Sequence, residues 1–177
     1  LLEGYAWYKG QDQAYVLDLI GQNPDNSRDD VDDKVFTVGA RAELAVTDQL
    51  GIFGEYAYQF GEAINHVNAF TGGGLDPLDV HAERSAFAVQ VGGNFAFDDD
   101  NASKVGIVYT YMSGEDDLED DDWRQWDPMF EDQRGGELAN LFINTGVQCV
   151  KLTGSTMPRE DLTAILDVYW YAATTTP

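Results

Sequence analysis

Hydrophobic and polar residues alternate most clearly between Val35 and Gly61, in VFTVGARAELAVTDQLGIFGEYAYQFG. Phe36, Val38, Ala40, Ala42, Leu44 and Val46 share one parity, and Thr37, Gly39, Arg41 and Glu43 share the other. Past Thr47, Asp48 and Gln49 the pattern resumes, with Leu50, Ile52, Tyr56, Tyr58 and Phe60 opposite Gly51, Glu55, Gln59 and Gly61. A period of two belongs to a strand with unlike faces, and so short a connection predicts an antiparallel hairpin. Each arm runs roughly ten to twelve residues, beyond the usual length of a soluble strand and close to the roughly 9–11 that a tilted strand needs to cross a bilayer. Full charges on the polar face would look out to water in a soluble sandwich and inward to a wet lumen in a membrane barrel.

The rest of the chain repeats this design. Residues 1–9 read as a strand whose apolar face is either Tyr5 and Trp7 or Leu2, Ala6 and Tyr8. The segment AYVLDLIG continues it or pairs with the next strand, and QNPDNSRDDVDDK is a polar loop. After the hairpin, EAINHVNAFTGGGLDPLD is a second long connector. From Val80 to Phe97, Phe87, Val89, Val91, Phe95 and Phe97 oppose Arg84, Ala86, Ala88, Gln90, Gly92 and Asn94, with Gly92 and Gly93 marking a bulge or bend. A short turn, DDDNA, leads to a returning strand with Val105, Ile107, Tyr109 and Tyr111 on its apolar side. The longest connector spans Gly114 to Asn140, and a strand from Leu141 to Ser155 follows, with a bulge expected at Lys151. A turn at MPRED precedes the last strand, where Leu162, Ala164, Leu166, Val168 and Trp170 oppose Thr163, Asp167, Tyr169 and Tyr171.

Connections therefore alternate short and long, the asymmetry of outer-membrane barrels, and aromatics gather near strand ends as in interfacial girdles. The pattern predicts an all-β fold: an antiparallel up-and-down transmembrane β-barrel of which about seven strands are present, since single-chain bacterial barrels usually close with an even number. Residues 1–177 are then the C-terminal part of one outer-membrane barrel domain, in a Gram-negative bacterium. The opening LLEGYAWYK has no initiating Met, basic n-region or apolar h-region, so any export signal is expected to have been removed or to lie outside this sequence.

Composition narrows the alternatives. At 44% hydrophobic the chain has material for an ordinary soluble core, and no run approaches the roughly eighteen apolar residues of a spanning helix, so strands must do any crossing. Thirty-two acidic residues against 10 basic give a formal charge of −22, which argues against nucleic acid and against docking to anionic membranes through basic patches. Adaptation to salt would account for such acidity equally well. Cys149 is the single cysteine, read as a small packed side chain in a strand.

Several pieces, in order, resemble one known family. TVGARAELAV, EYAYQFGE, the strand end YTYMSGEDD, WDPMF and the closing LTAILDVYWYA are similar to the C-terminal half of the alginate export family of outer-membrane barrels. The resemblance covers most of the chain. It implies a barrel of more than a dozen strands in outer-membrane lipid, whose basic lumen passes an anionic polysaccharide. Carried over by motif, Arg41, Glu55, Gln59 and Arg84 face the lumen, and Asp127 and Phe130 belong to the loop motif, in which Trp126 replaces the family's Phe. This chain differs in basicity: Arg41, Arg84, Lys104 and Lys151 on inferred inner faces are balanced by Glu43, Glu55 and Asp167.

The residues themselves allow two readings of the charged wall. Arg41, Glu43, Glu55, Gln59, Arg84 and Asp167 either line a pore and steer permeating solute or pair across strands to hold the wall, and these are compatible. WDPMF is apolar and turn-forming inside an acidic connector: Pro128 fixes the backbone, Asp127 can cap a turn, and Trp126, Met129 and Phe130 need burial, so the loop should fold back on the barrel mouth or contact solute there. The acidic runs around Asp29–Asp33 and Glu115–Asp122 lack the register of a calcium loop and read as solvated segments. His66 and His81 stand alone, and no nucleophile elbow, zinc-helix motif or phosphate loop is present. The expected function is a passive, porin-like channel for a hydrophilic solute, with no catalytic residues, no metal and no cofactor. A soluble or cell-surface β-barrel or sandwich that binds a ligand, and an acidic surface adhesin, are the alternatives.

Overall fold

The computed structural model describes residues 1–12, 32–64, 81–115, 122–128 and 146–174. These form one sheet of eight strands: β1 (Leu2–Asp12), β2 (Asp32–Ala45), β3 (Leu50–Ile64), β4 (His81–Ala96), β5 (Lys104–Met112), β6 (Asp122–Trp123), β7 (Val147–Arg159) and β8 (Leu162–Ala173). The order β1-β2-β3-β4-β5-β7-β8 is an antiparallel up-and-down meander, with β1 and β8 as its two edges, so the sheet is open rather than closed. Seven long strands match the expected number. The two-residue β6 is additional.

Register follows the hydrophobic alternation along the whole meander. Phe36 lies opposite Phe60, and Val38 opposite Tyr58. Tyr56 lies opposite Val89, which lies opposite Tyr111. In β1 the ambiguity resolves: Leu2, Ala6 and Tyr8 pair with Ala42, Val38 and Phe36 on the apolar face, so Glu3, Tyr5, Trp7 and Lys9 belong to the polar face. The short connections β2–β3, β4–β5 and β7–β8 fall at one end of the sheet, as a meander requires.

Three local expectations are corrected. Gly92 and Gly93 continue the ladder without a bulge, opposite Phe53 and Ile52. A side chain at Gly92 has no room, because its Cβ would stand 2.7 Å from the Phe53 ring and 2.8 Å from the Ile107 carbonyl oxygen. Lys151 is also in regular register, between Val108 and Tyr169. It sits on the polar face with Cys149, Thr153 and Ser155, and the irregularity of β7 comes later, between Thr156 and Arg159. MPRED is not all turn, since β7 runs through Arg159 and only Glu160 and Asp161 connect it to β8. The segment 141–145, expected to open this strand, lies outside the described residues, as do Asp29, Asp30, His66 and 116–121.

β6 exists because β4 is longer than its neighbour. β5 pairs with Ala88–Ala96 and stops, leaving the start of β4 with a free edge. Ser113 closes the first step: its amide donates to the Phe87 carbonyl, and its hydroxyl accepts from the Phe87 amide at 2.9 Å. β6 then takes the remaining edge in parallel, Asp122 beside Glu83 and Trp123 beside Arg84. Covering an otherwise bare strand edge satisfies its backbone groups.

The core is small and lies on the polar face. Ala57, Ala86 and Trp126 form its buried centre, with Tyr5, Ala88 and Met112 packed around it. The apolar face, by contrast, is bare: Leu2, Leu44, Ile52, Val91, Ile107, Leu152 and Leu166, one from each long strand, are between 45 and 81% exposed. Among the described residues no second layer covers it.

The β4–β5 turn carries a titrating contact. The Ser103 amide donates to Asp99 Oδ1 at 2.8 Å, and this bond, followed by the Ser103 hydroxyl, holds the Asp99 carboxyl below the usual carboxylate range. A depressed folded pKa means the contact favours the fold above the unfolded value and is lost as pH falls through the folded one. Acid titration should therefore move the Ser103 amide proton resonance with a midpoint below that of an exposed aspartate, and Asp99→Asn should abolish that step.

Candidate functional site

The polar face is organised in rows that cross the strands. One row reads Glu3, Arg41, Glu55, Gln90, Thr110, Cys149, Tyr171, each opposite the next in the ladder. Within it the Arg41 guanidinium donates from Nη1 to Glu55 Oε2 at 3.1 Å, and from Nε and Nη2 to Glu43 Oε1 at 3.0 and 2.6 Å. The Tyr5 hydroxyl donates to the other Glu55 oxygen at 2.6 Å. Gln90 Nε2 continues the row by donating to Thr110 Oγ1 at 3.0 Å. Arg41, Glu43 and Glu55, singled out from the sequence, are thus one cluster, with the Arg41 guanidinium 5.0 Å from the Phe53 ring centroid.

Tyr5 reaches Glu55 across β2 because Gly39 lies between them. A Cβ at Gly39 would stand 2.3 Å from the Tyr5 ring, so only glycine lets that ring lie flat on the strand. Cross-strand charge pairs of this kind are each worth about 0.2–1 kcal/mol. With both partners part-exposed, their main effect is to fix side-chain positions.

A second cluster holds the loop 124–128 to the sheet. Gln59 is fully buried, and its carboxamide grips the main chain of one residue on both sides: Asp127 N donates to Oε1 at 2.9 Å, and Nε2 donates to the Asp127 carbonyl at 2.8 Å. The side chain thereby imitates a strand partner. Lys9 Nζ adds an ion pair with the Asp127 carboxylate, 2.8 and 3.1 Å from its two oxygens. Arg84 Nη1 donates to the Gln125 carbonyl at 3.1 Å. Trp126 is 4% exposed and fills a recess that exists because Ala57 and Ala86 are small. Its amide donates to the Ser113 carbonyl.

Of WDPMF, expected to fold back on a barrel mouth, Trp126 and Asp127 lie against the polar face of the sheet, while Met129 and Phe130 lie outside the described residues. Gln59 and Asp127, chosen separately from the sequence, are direct partners. Arg84 is buried three rows from Arg41 and Glu55 and donates to the loop instead. Asp167 stands apart on β8, paired with Lys151 at 2.9 Å. Tyr5, Lys9 and Ser113 were not anticipated. For the first two, the signal was their shared parity with Glu3, because charges at two positions of one parity mark the wet face of a strand.

Comparisons with protein families, with characterised proteins and with solved structures find no match to this chain.

Replacing Gln59 by Leu keeps the volume but leaves the Asp127 peptide without its partner. It should cost about 1–3 kcal/mol and speed amide hydrogen exchange at Trp126 and Asp127 while leaving exchange in β7 and β8 unchanged.

Proposed function

We propose that this chain is part of an outer-membrane β-barrel through which a hydrophilic solute diffuses passively along a charged lumen. The observation that carries the reading is the bare apolar face, shared by all seven long strands: its charge pair Lys34–Glu62 stands at the strand ends beyond Phe36 and Phe60, while Lys9, Arg41 and Lys151 are paired on the opposite face. In water such a surface would far exceed the few hundred Å² that soluble monomers leave uncovered. Lipid tails would cover it at no cost. A soluble sandwich would need a second layer there.

Dimensions support the same reading. On β3, Phe60 lies opposite Phe36 at one end, and Leu50 lies opposite Phe95 at the other. Ten residues at about 3.3 Å each span roughly 33 Å, which at a barrel tilt of about 40° is roughly 25 Å along the membrane normal, the height of a barrel's apolar band. Tyr8, Phe36 and Phe60 form a chain of ring contacts at 4.8 and 5.5 Å near the upper limit, and Phe95 and Phe97 meet at 5.1 Å near the lower. Girdles of aromatic rings at both borders are usual in a membrane barrel.

On this reading the polar face lines the lumen, Arg41, Glu43, Glu55 and Asp167 set its local charge, and the Trp126–Pro128 loop narrows it. No bond is made or broken, so solute choice rests on radius and lining. The motif likeness to alginate export barrels supports a polysaccharide among the candidate solutes.

Substituting Val91→Arg, opposite Gly54 near the middle of the apolar band, should destabilise the bilayer-inserted protein by about 2–4 kcal/mol, whereas Asn94→Lys on the polar face should cost under about 0.5 kcal/mol. Denaturant titration in lipid vesicles reads both. The full protein should also conduct in planar bilayers; a monodisperse protein without detergent and without conductance would overturn the proposal in favour of a soluble ligand binder.

A further inference from the structure

Aromatic rings stand on the polar face beside its charges. Trp7 is 52% exposed there, one position of the same parity before Lys9 and opposite Thr37. On β8, Tyr169 and Tyr171 share the face with rings 6.1 Å apart and 10° from parallel. Lys151 Nζ lies 5.3 Å from the Tyr169 ring centroid, and the Tyr169 hydroxyl lies 3.5 Å from Asp167 Oδ2. Scattered exposed aromatics need no explanation. Here, however, a ring and an ion pair occur together at each edge strand of the sheet, as they do at the Arg41 cluster between them, where Tyr5 and Phe53 stand beside the charges.

The charges beside the rings of the two edges are neutral pairs. Lys9 holds Asp127 at 2.8 Å and Lys151 holds Asp167 at 2.9 Å, and between the two edges Arg41 holds Glu43 and Glu55. A polyanion is drawn to uncompensated positive charge, which pairing of this kind removes. A hydroxyl group has different needs, since it donates one hydrogen bond and accepts others. A carboxylate and an ammonium side by side supply the acceptor and the donor together. A flat aromatic ring with a polar tip supplies an apolar platform next to them.

Resting on the channel reading, we propose that the lumen recognises an uncharged saccharide, with sugar rings laid on Trp7 at one subsite and on Tyr169 and Tyr171 at the other. Sugar hydroxyls exchange hydrogen bonds with the Lys9–Asp127 and Lys151–Asp167 pairs. The substrate class is thus a neutral polyhydroxylated ring or short chain of them.

The test measures interruption of ionic current through the full protein in planar bilayers. The probes are a linear glucose oligosaccharide and a uronate oligosaccharide of the same length. Block by the glucose probe should persist from low to high salt, weaken about tenfold in each of Trp7→Ala and Tyr169→Ala, and be largely retained in Trp7→Phe, with heat-modifiable gel mobility confirming that each variant folds. Block by the uronate probe alone, fading with salt, or block by neither, overturns the proposal. Should the protein give no conductance, the channel reading fails by itself, and calorimetric titration of the detergent-solubilised protein then decides. Saturable glucose-oligosaccharide binding weakened by Trp7→Ala upholds saccharide recognition, and a flat titration ends it.

Discussion

A single layer of β-sheet must place two chemically unlike faces somewhere, and every other feature of this protein answers to that constraint. Backbone hydrogen bonds hold the seven-strand meander together, but they do not decide what covers its faces. The polar face covers itself in part: Gln59, Lys9 and Arg84 draw the chain around Trp126 onto the wall, and Ala57 and Ala86 make room for the indole. The apolar face has no such cover among the described residues. Fully burying a large apolar side chain is worth about 1.5–3 kcal/mol, so a face bearing several per strand is a strong drive toward lipid or toward another apolar surface.

How far this could be read from the amino-acid sequence depended on how local the cause was. Parity is a property of neighbouring residues, and the hairpin from Val35 to Gly61 announced both faces because one holds an unbroken apolar series and the other five polar side chains, Thr37, Arg41, Glu43, Glu55 and Gln59. β7 was harder. Its apolar face carries Gln148 and Gly154 while its polar face carries Val147 and Cys149, so Lys151 looked like an intrusion when it was the truest marker of its side. β1 was ambiguous for a related reason, since Tyr5 and Trp7 are aromatic residues on the polar face, one bound to Glu55 and the other exposed.

The loop illustrates the opposite limit. Composition predicted that Trp126, Met129 and Phe130 need burial against the sheet or a solute, because they are apolar residues within an acidic connector. The loop's docking position was not legible. The contact that fixes it joins Gln59 to Asp127, 68 positions apart, and uses a side-chain amide as a substitute strand, for which no local pattern exists. β6 has the same character: it follows from the difference in length between β4 and β5, which becomes visible only once the register is known.

Net charge is a poor guide to what such a wall would select. The chain carries −22 overall, yet on the polar face of the sheet Lys9, Arg41 and Lys151 each hold a carboxylate, with separations of 2.6 to 3.1 Å. The two lysine pairs present dipoles rather than monopoles, while Arg41, holding two carboxylates, leaves one net negative charge. A dipole's field falls off faster with distance than that of a single charge, and at physiological salt the Debye length of about 8 Å shortens its reach further. Long-range attraction of an anion to such a wall is therefore weak, and the net charge left at the Arg41 cluster opposes it. Discrimination is left to groups in direct contact, and there the choice between a charged and an uncharged solute turns on whether the solute can satisfy a donor and an acceptor at once.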